Sequence, residues 1–346
     1  MRQLGQMKKS TKNSLFTYTL VIAAFVVVQA LRMGPGVGAM LEGQLIPICA
    51  YIVGVSGELS LGHAGFMSIG AFAGSALALA LQSTVTLSPL RLALAMVFGA
   101  VIAAALGFLI GIPVLRLNGD YLAIVTLAFG EIIKSIITNV YLGVDENGLQ
   151  FSFLSNKNEL ADGGVELIRG PMGVMNTQRI STFIAGFVLV LIALVVIFNL
   201  VNSRTGRAVM AARDNRIAAE SVGISATKYK LMAFVLSSVF AGMAGVLYSL
   251  NYSSLVAKKF DYNTSINILV FVVLGGIGSI RGSVIAAAIL TVLPEMLRGL
   301  NDYRMLIYAV VLIVMMIFNS SPKAIEMRSV FMDRIKKNKK SAKEAA

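Results

Sequence analysis

Long apolar runs dominate this chain. They fall near 15–31, 39–55, 64–81, 91–113, 120–141, 180–201, 231–251, 264–280, 282–298 and 303–319. A bilayer core needs about 20 apolar residues per helix, so the pattern predicts an all-α polytopic membrane protein with about ten spans, eight to ten in all. Two runs, 39–55 and 264–280, are short, and the first contains Glu42 and Pro47. Gly57, Gly62, Gly65, Gly70 and Gly74 crowd the third. Short or interrupted helices are tolerated where protein or a water-filled path covers their backbone, which leaves room for one re-entrant piece. Gly70 and Gly74 form a GxxxG, and Ala241, Gly242, Ala244 and Gly245 cluster. Such small residues let helix backbones approach closely.

Composition narrows the class. The chain has 346 residues, of which 57% are hydrophobic and 14% charged, and its mean hydropathy is +0.79. Soluble domains carry about 25% charged residues, so disorder, fibres, disulfide scaffolds and a water-soluble enzyme core are excluded. Three basic clusters, at 1–12, 202–230 and 323–346, carry net charges of +4, +4 and +5, which together account for the net +13. Basic excess in short loops marks the cytoplasmic side. Ten spans put all three clusters there, with Arg116 and Arg281, and leave the acid-rich 142–178 segment outside. The predicted organisation is a cytoplasmic tail at 1–14, a transmembrane domain at 15–320 and a second cytoplasmic tail at 321–346. The 15–31 run is too long for a signal-peptide core and reads as a retained first helix. No aromatic residues interleave the basic runs in a binding pattern, so nucleic acid is not the expected partner.

Much chemistry is missing. There is no GxxxxGK[ST], no HExxH and no zinc-ligand spacing, and Cys49 and His63 are the sole cysteine and histidine. Gly54-Val55-Ser56-Gly57 is a GxSG, but His63 is the only candidate base, and four-residue matches are common by chance. Within the spans, Glu131 and Lys134 stand one turn apart. An intramembrane charge points to a transport path unless it is paired, and at i,i+3 these two can neutralise each other, so both readings stand. Glu58 and His63 flank Ser60; His63 is either a titrating switch or a hydrogen-bonded packing residue, the second being simpler. Glu295 after Pro294 reads as local structure at a kink.

The 202–230 loop is more specific. Thr205 is predicted to cap a helix starting near Arg207, with Gly223 as its stop. Ala208, Ala211, Ala212, Ala218 and Ala219 give it a small surface, and Arg216 and Glu220 pair at i,i+4. A short charged helix between two spans suits either a docking piece or a plain solvated loop.

Four runs, taken together, resemble one family: GELSLGHAGF at 57–66, YLAIVTLAFGEI at 121–132, GRAVMAARDNRIAAESVGI at 206–224 and LGGIGSIRG at 274–282. They are similar to the LivM-type permease subunit of branched-chain amino acid ABC transporters, over about residues 40–320. The resemblance implies a bacterial cytoplasmic-membrane importer whose solute path is shared with a LivH-type sister permease. It further implies two cytoplasmic ATPases and an extracytoplasmic amino-acid-binding protein; the chain itself is no enzyme and holds no cofactor. The 206–224 run is similar to the loop that couples such permeases to their ATPases, which assigns coupling to Arg207, Arg213, Arg216, Ala218, Ala219, Glu220 and Gly223. Ile217 stands where the general importer motif has glutamate, Val235-Leu236 replaces a later Leu-Pro, and 142–178 is longer than usual. A leucine, isoleucine or valine zwitterion needs an apolar path with a few polar groups; Ser60, His63, Asp120, Thr126, Glu131 and Ser135 are the lining candidates. The alternatives are a related permease for urea or short-chain amides, or a stand-alone secondary transporter that needs no ATPase.

Overall fold

The computed structural model describes residues 62–82, 84–117, 120–145, 148–154, 164–276 and 279–296, with short pieces between 17 and 29 and between 303 and 314. Both basic tails, the 39–55 run, the GxSG, Cys49, Glu58 and Ser60 lie outside the described residues. The chain divides into two compact units, residues 1–270 and 271–346.

The first unit is built on α1 (His63–Ala80), α2 (Ser88–Val114), α3 (Asp120–Thr138), α4 (Phe183–Asn202) and α7 (Ala226–Ser249), with the short α5 (Arg204–Asp214) and α6 (Arg216–Ser221) between α4 and α7. Among the described residues these five long helices are long and apolar enough to cross a bilayer. α8 (Tyr262–Gly275) has only 14 residues. At 1.5 Å per residue it extends about 21 Å, less than a bilayer core of about 30 Å. The short 264–280 run is thus a short helix in fact. Residues 17–19 and 21–26, in the first apolar run, are also helical.

The packing inverts the rule for soluble proteins, because lipid is as apolar as leucine. On α2 the inward positions include Ala95, Gly99, Ala103 and Gly107, while Val97, Phe98, Val101, Phe108 and Leu109 face outward. Small residues let three backbones meet. A Cβ on Gly70 of α1 would overlap the Gly242 backbone of α7, one on Gly245 would overlap the Met67 carbonyl, and one on Gly99 of α2 would meet the Gly70 oxygen at 3.0 Å. The GxxxG and the Ala241–Gly245 cluster, noted separately in the sequence, are two sides of one contact. Gly70 and Gly74 of α1 meet Gly242 and Val246 of α7 in the same order, and Gly99 and Ala95 of α2 in the reverse order, so α1 runs parallel to α7 and antiparallel to α2. Gly62 and Gly65 seat α1 just as closely against Thr126 and Gly130 of α3.

The 142–178 segment is no plain loop. β1 (Val140–Asp145), β2 (Gly148–Phe153) and β3 (Val165–Arg169) form an antiparallel sheet in the order β2-β1-β3. Val140 pairs with Phe153 and Asp145 with Gly148 across the hairpin, while Tyr141 pairs with Arg169 on the other side. β4 (Val174–Met175) pairs with β5 (Ser254–Leu255) and ties this region to the segment after α7.

In the second unit, α9 (Ile280–Met296) follows the end of α8. Gly282 lies with its backbone against Gly275, leaving no room for a Cβ on either residue.

Candidate functional site

Two features of the first unit bear on function: a place where helices start inside the bundle, and the α5–α6 module.

α1 begins at His63, whose Nε2 lies 3.0 Å from Ser237 Oγ on the parallel helix α7. Ser237 is eleven residues into α7, about 16 Å along its axis, so α1 starts well inside the bundle. α8 begins close by. The Tyr262 N–H donates to Glu131 Oε1 at 3.0 Å, and the Ala64 N–H, in the first turn of α1, donates to Ser265 Oγ at 3.2 Å in the first turn of α8. Asp261 completes the start of α8, its Oδ1 accepting from the Thr264 N–H at 3.0 Å. The first turn of a helix leaves backbone N–H groups unpaired, and inside a membrane each must find an acceptor. Here Ser265, Glu131 and Asp261 supply them. Two helix N-termini therefore converge on α3.

The lining candidates separate in space. Glu131 forms an ion pair with Lys134, each side chain about a third exposed or less by their values of 36% and 25%. One carboxylate oxygen thus meets Lys134 while the other caps α8. His63 is 4% exposed and turned toward α7. Thr126 is buried and donates to the Ala123 carbonyl at 2.9 Å. Ser135 is exposed on α3, its carbonyl accepting from Asn139 Nδ2 at 2.8 Å. Asp120 opens α3, and Ser60 lies outside the described residues. Thr126 and Glu131 share the neighbourhood of the two helix starts. Ser135 lies one turn beyond Glu131.

Ser237, Tyr262, Ser265 and Asp261 belong to this region but escaped the sequence reading. An Asp-Tyr-Asn-Thr run at 261–264 is an N-cap signal, and it marks α8 two residues before its apolar run begins. Nothing in the sequence pairs Ser237 with His63, because 174 residues separate them.

The α5–α6 module is built from caps. Ser203, not Thr205, starts α5: its hydroxyl accepts from the Gly206 N–H at 3.0 Å and donates to the Leu200 carbonyl at 2.6 Å. One residue thereby closes α4 and opens α5, because the chain turns with a single extended residue between them. Asn215 Oδ1 caps α6 through the Ala218 N–H at 3.1 Å. Arg216 Nε pairs with Glu220 at 2.9 Å, as its spacing predicts. Past its C-cap Val222, α6 is stopped by Gly223, with φ +83°, and the Ile224 N–H returns to the Ala219 carbonyl at 3.0 Å. This is the left-handed glycine stop of a Schellman turn.

Ala208, Ala212 and Ala219 are buried within the module, while Ile217 is 81% and Val222 73% exposed. Ala218 and Gly223 are exposed beside them. Around this small apolar knob stand Arg213, bonded to Asp214 at 3.0 Å, and the Arg216–Glu220 pair. Arg207 donates to the Asn202 carbonyl at 3.2 Å. Among the described residues no cluster of three or more His, Cys, Asp or Glu could hold a metal ion.

Comparison with known proteins agrees with this architecture. A profile described as "Branched-chain amino acid transport system / permease component" matches residues 49–318. The high-affinity branched-chain amino acid transport system permease proteins LivM of Salmonella typhimurium and Escherichia coli are 36% and 35% identical over 281 residues, 77% of this chain and 64% of theirs. The chain thus spans somewhat less than two thirds of the length of these relatives. The fructose import permease protein FruG of Bifidobacterium longum is 27% identical over 59% of this chain and 58% of its own. No solved structure matches. With most of its length matched and its apolar helices in place, the chain is a multi-pass membrane protein that belongs to the family of permease components of branched-chain amino acid transport systems.

Proposed function

We propose that this chain is one permease subunit of an ATP-driven importer of branched-chain amino acids. It sits in the bacterial cytoplasmic membrane with both termini inside. A sister permease shares the solute path, two cytoplasmic ATPases supply the energy, and an extracytoplasmic binding protein delivers the solute. The chain itself performs no catalysis.

The observation that carries this reading is the α5–α6 module. Ile217, Ala218 and Val222 form an exposed apolar knob on two capped helices, held between two long apolar helices and ringed by Arg213, Arg216 and Glu220. An apolar anchor with a charged rim is the anatomy of a protein interface. Closure of the ATPases pushes on this knob, and the Gly223 turn passes the motion into α7. His63 hands it on to α1 through Ser237, and the solute passes along α3 by Ser135, Glu131 and Thr126 toward Asp120 at the cytoplasmic end.

The test is purification of the tagged full chain from native membranes, with identification of what accompanies it. Expected are ATPases bearing GxxxxGK[ST] and a second permease in near-equal amounts, with leucine uptake that depends on ATP. A chain that comes out alone and transports on an ion gradient sinks the reading. The likeness to a fructose permease gives a second reading, a different solute on the same machine. The ligand of the partnering binding protein decides between them.

A further inference from the structure

Arg91 is a buried cation with no carboxylate partner among the described residues. It lies in the first turn of α2, between Leu90 and Leu94, which are 50% and 41% exposed, yet Arg91 itself is 3% exposed. Its Nη2 donates to Gln178 Oε1 at 2.5 Å. Its Nε is buried with no hydrogen-bond partner. Among the described residues Arg91 has no carboxylate within ion-pair distance. A guanidinium cannot escape by losing its proton, and an uncompensated buried charge is strongly disfavoured.

The side chain lines a small cavity with Ala78, Gln82, Thr177, Gln178 and Leu250, in which the centre of a water-sized sphere has about 10 Å³ to move. Half of its lining is aliphatic, from Ala78, Leu79, Ile180 and Leu250, so the field of the guanidinium is less screened there than in open water. Gln178 has turned its carbonyl to Arg91, which leaves its amide NH₂ as a further donor. The Thr177 hydroxyl donates to the Tyr252 carbonyl and is already committed. Arg91 and Gln178 thus both border a space too small for an amino acid.

We propose that this cavity binds one small monovalent anion of halide size, held by the Arg91 guanidinium and the Gln178 amide. The anion neutralises Arg91 and locks the ends of α1 and α2 to the segment that leads into α4. The site is separate from the α5–α6 module and from the two helix starts, and its test needs no transport.

The test uses the purified full chain in lipid nanodiscs, with thermal unfolding followed by circular dichroism. Sodium chloride is titrated against sodium gluconate at constant ionic strength. The midpoint is expected to rise with chloride and saturate, as binding to the folded state requires, with bromide and nitrate substituting for it. Arg91→Met should abolish the dependence, and Gln178→Ala should move the half-saturating chloride about tenfold upward, the loss of roughly one charge-assisted hydrogen bond. A midpoint indifferent to the anion, or a dependence that survives Arg91→Met, overturns the proposal. If Arg91→Met does not fold, bromide-soaked crystals of the unaltered chain decide. An anomalous peak beside Arg91 supports the site, and water alone there overturns it.

Discussion

The Nε2 of His63 lies 3.0 Å from the Oγ of Ser237, joining the first residue of α1 to the middle of α7. Both groups are buried, so removing either leaves the other without that partner. His63→Ala or Ser237→Ala should each cost about 1–3 kcal/mol, and the double variant less than the sum, with a coupling of about 1 kcal/mol. Thermal unfolding of the four proteins in the cycle measures it. Additive losses would mean the contact contributes nothing.

Gly70 and Gly242 should not tolerate a methyl group. Gly70→Ala drives a Cβ into the Gly242 backbone, where no flexible side chain can give way. Either substitution should lower the accumulated membrane protein several-fold, since overpacking typically costs about 1–3 kcal/mol and more against rigid backbone. Ala103→Gly, which opens space beside Gly242, is expected to rescue Gly242→Ala in part, and quantitative immunoblotting of membranes reads the result.

Glu131→Gln removes the charge that Lys134 faces but keeps an acceptor for the Tyr262 N–H. Glu131→Ala removes both. If the cap matters structurally, Ala should destabilise by about 1–2 kcal/mol more than Gln. If Glu131 also lines the solute path, Gln too should lower leucine uptake at normal membrane levels. Unchanged uptake in Glu131→Gln and in His63→Ala would remove both from the path.

Ile217→Asp places a charge on the exposed knob without touching the bundle. Stability should change by less than about 0.5 kcal/mol, as for other exposed positions, while ATP-dependent uptake and co-purification of ATPase fall at least tenfold. Arg216→Ala, which breaks an exposed i,i+4 pair, should cost only about 0.3–0.5 kcal/mol in stability. Wild-type uptake in Ile217→Asp would exclude the knob as a docking surface.

Gly223→Ala is strained whatever the space around it, because a side chain disfavours φ +83°. The expected cost is about 1 kcal/mol. Uptake should fall further than stability does, since the turn sets the direction in which α6 points.

The sequence was most informative where lipid dictates the pattern. The apolar runs at 64–81, 91–113, 180–201 and 282–298 lie within two or three residues of α1, α2, α4 and α9, because a bilayer demands unbroken apolar length. α7 starts five residues earlier than its run, where Lys228 and Lys230 hide a helix that continues past the apolar stretch. The sheet was missed although it was written plainly. Asn147-Gly148 between Val140–Asp145 and the alternating Leu149-Gln150-Phe151-Ser152-Phe153 is a strong hairpin signal. A reading tuned to 20-residue apolar runs passes over it. The contents of the helix-start region were least legible. Glu131 and Lys134 could be read as a pair, but the Tyr262 and Ser265 contacts depend on where α8 lies in space, and no local spacing encodes that.

The Gly70–Gly242 and Gly245–Met67 contacts leave no side-chain cushion between the backbones of α1 and α7, and small side chains alone separate α2 from them. Side chains can slide and re-seat, whereas touching backbones can only separate or stay, so these three helices form a keel. Under the proposed transport cycle, opening and closing would swing about this keel, at joints such as the Ser203 corner and the Gly223 turn. Under the proposed coupling, a stroke delivered to α6 would therefore reach the keel as tilt, with little lost to bending on the way.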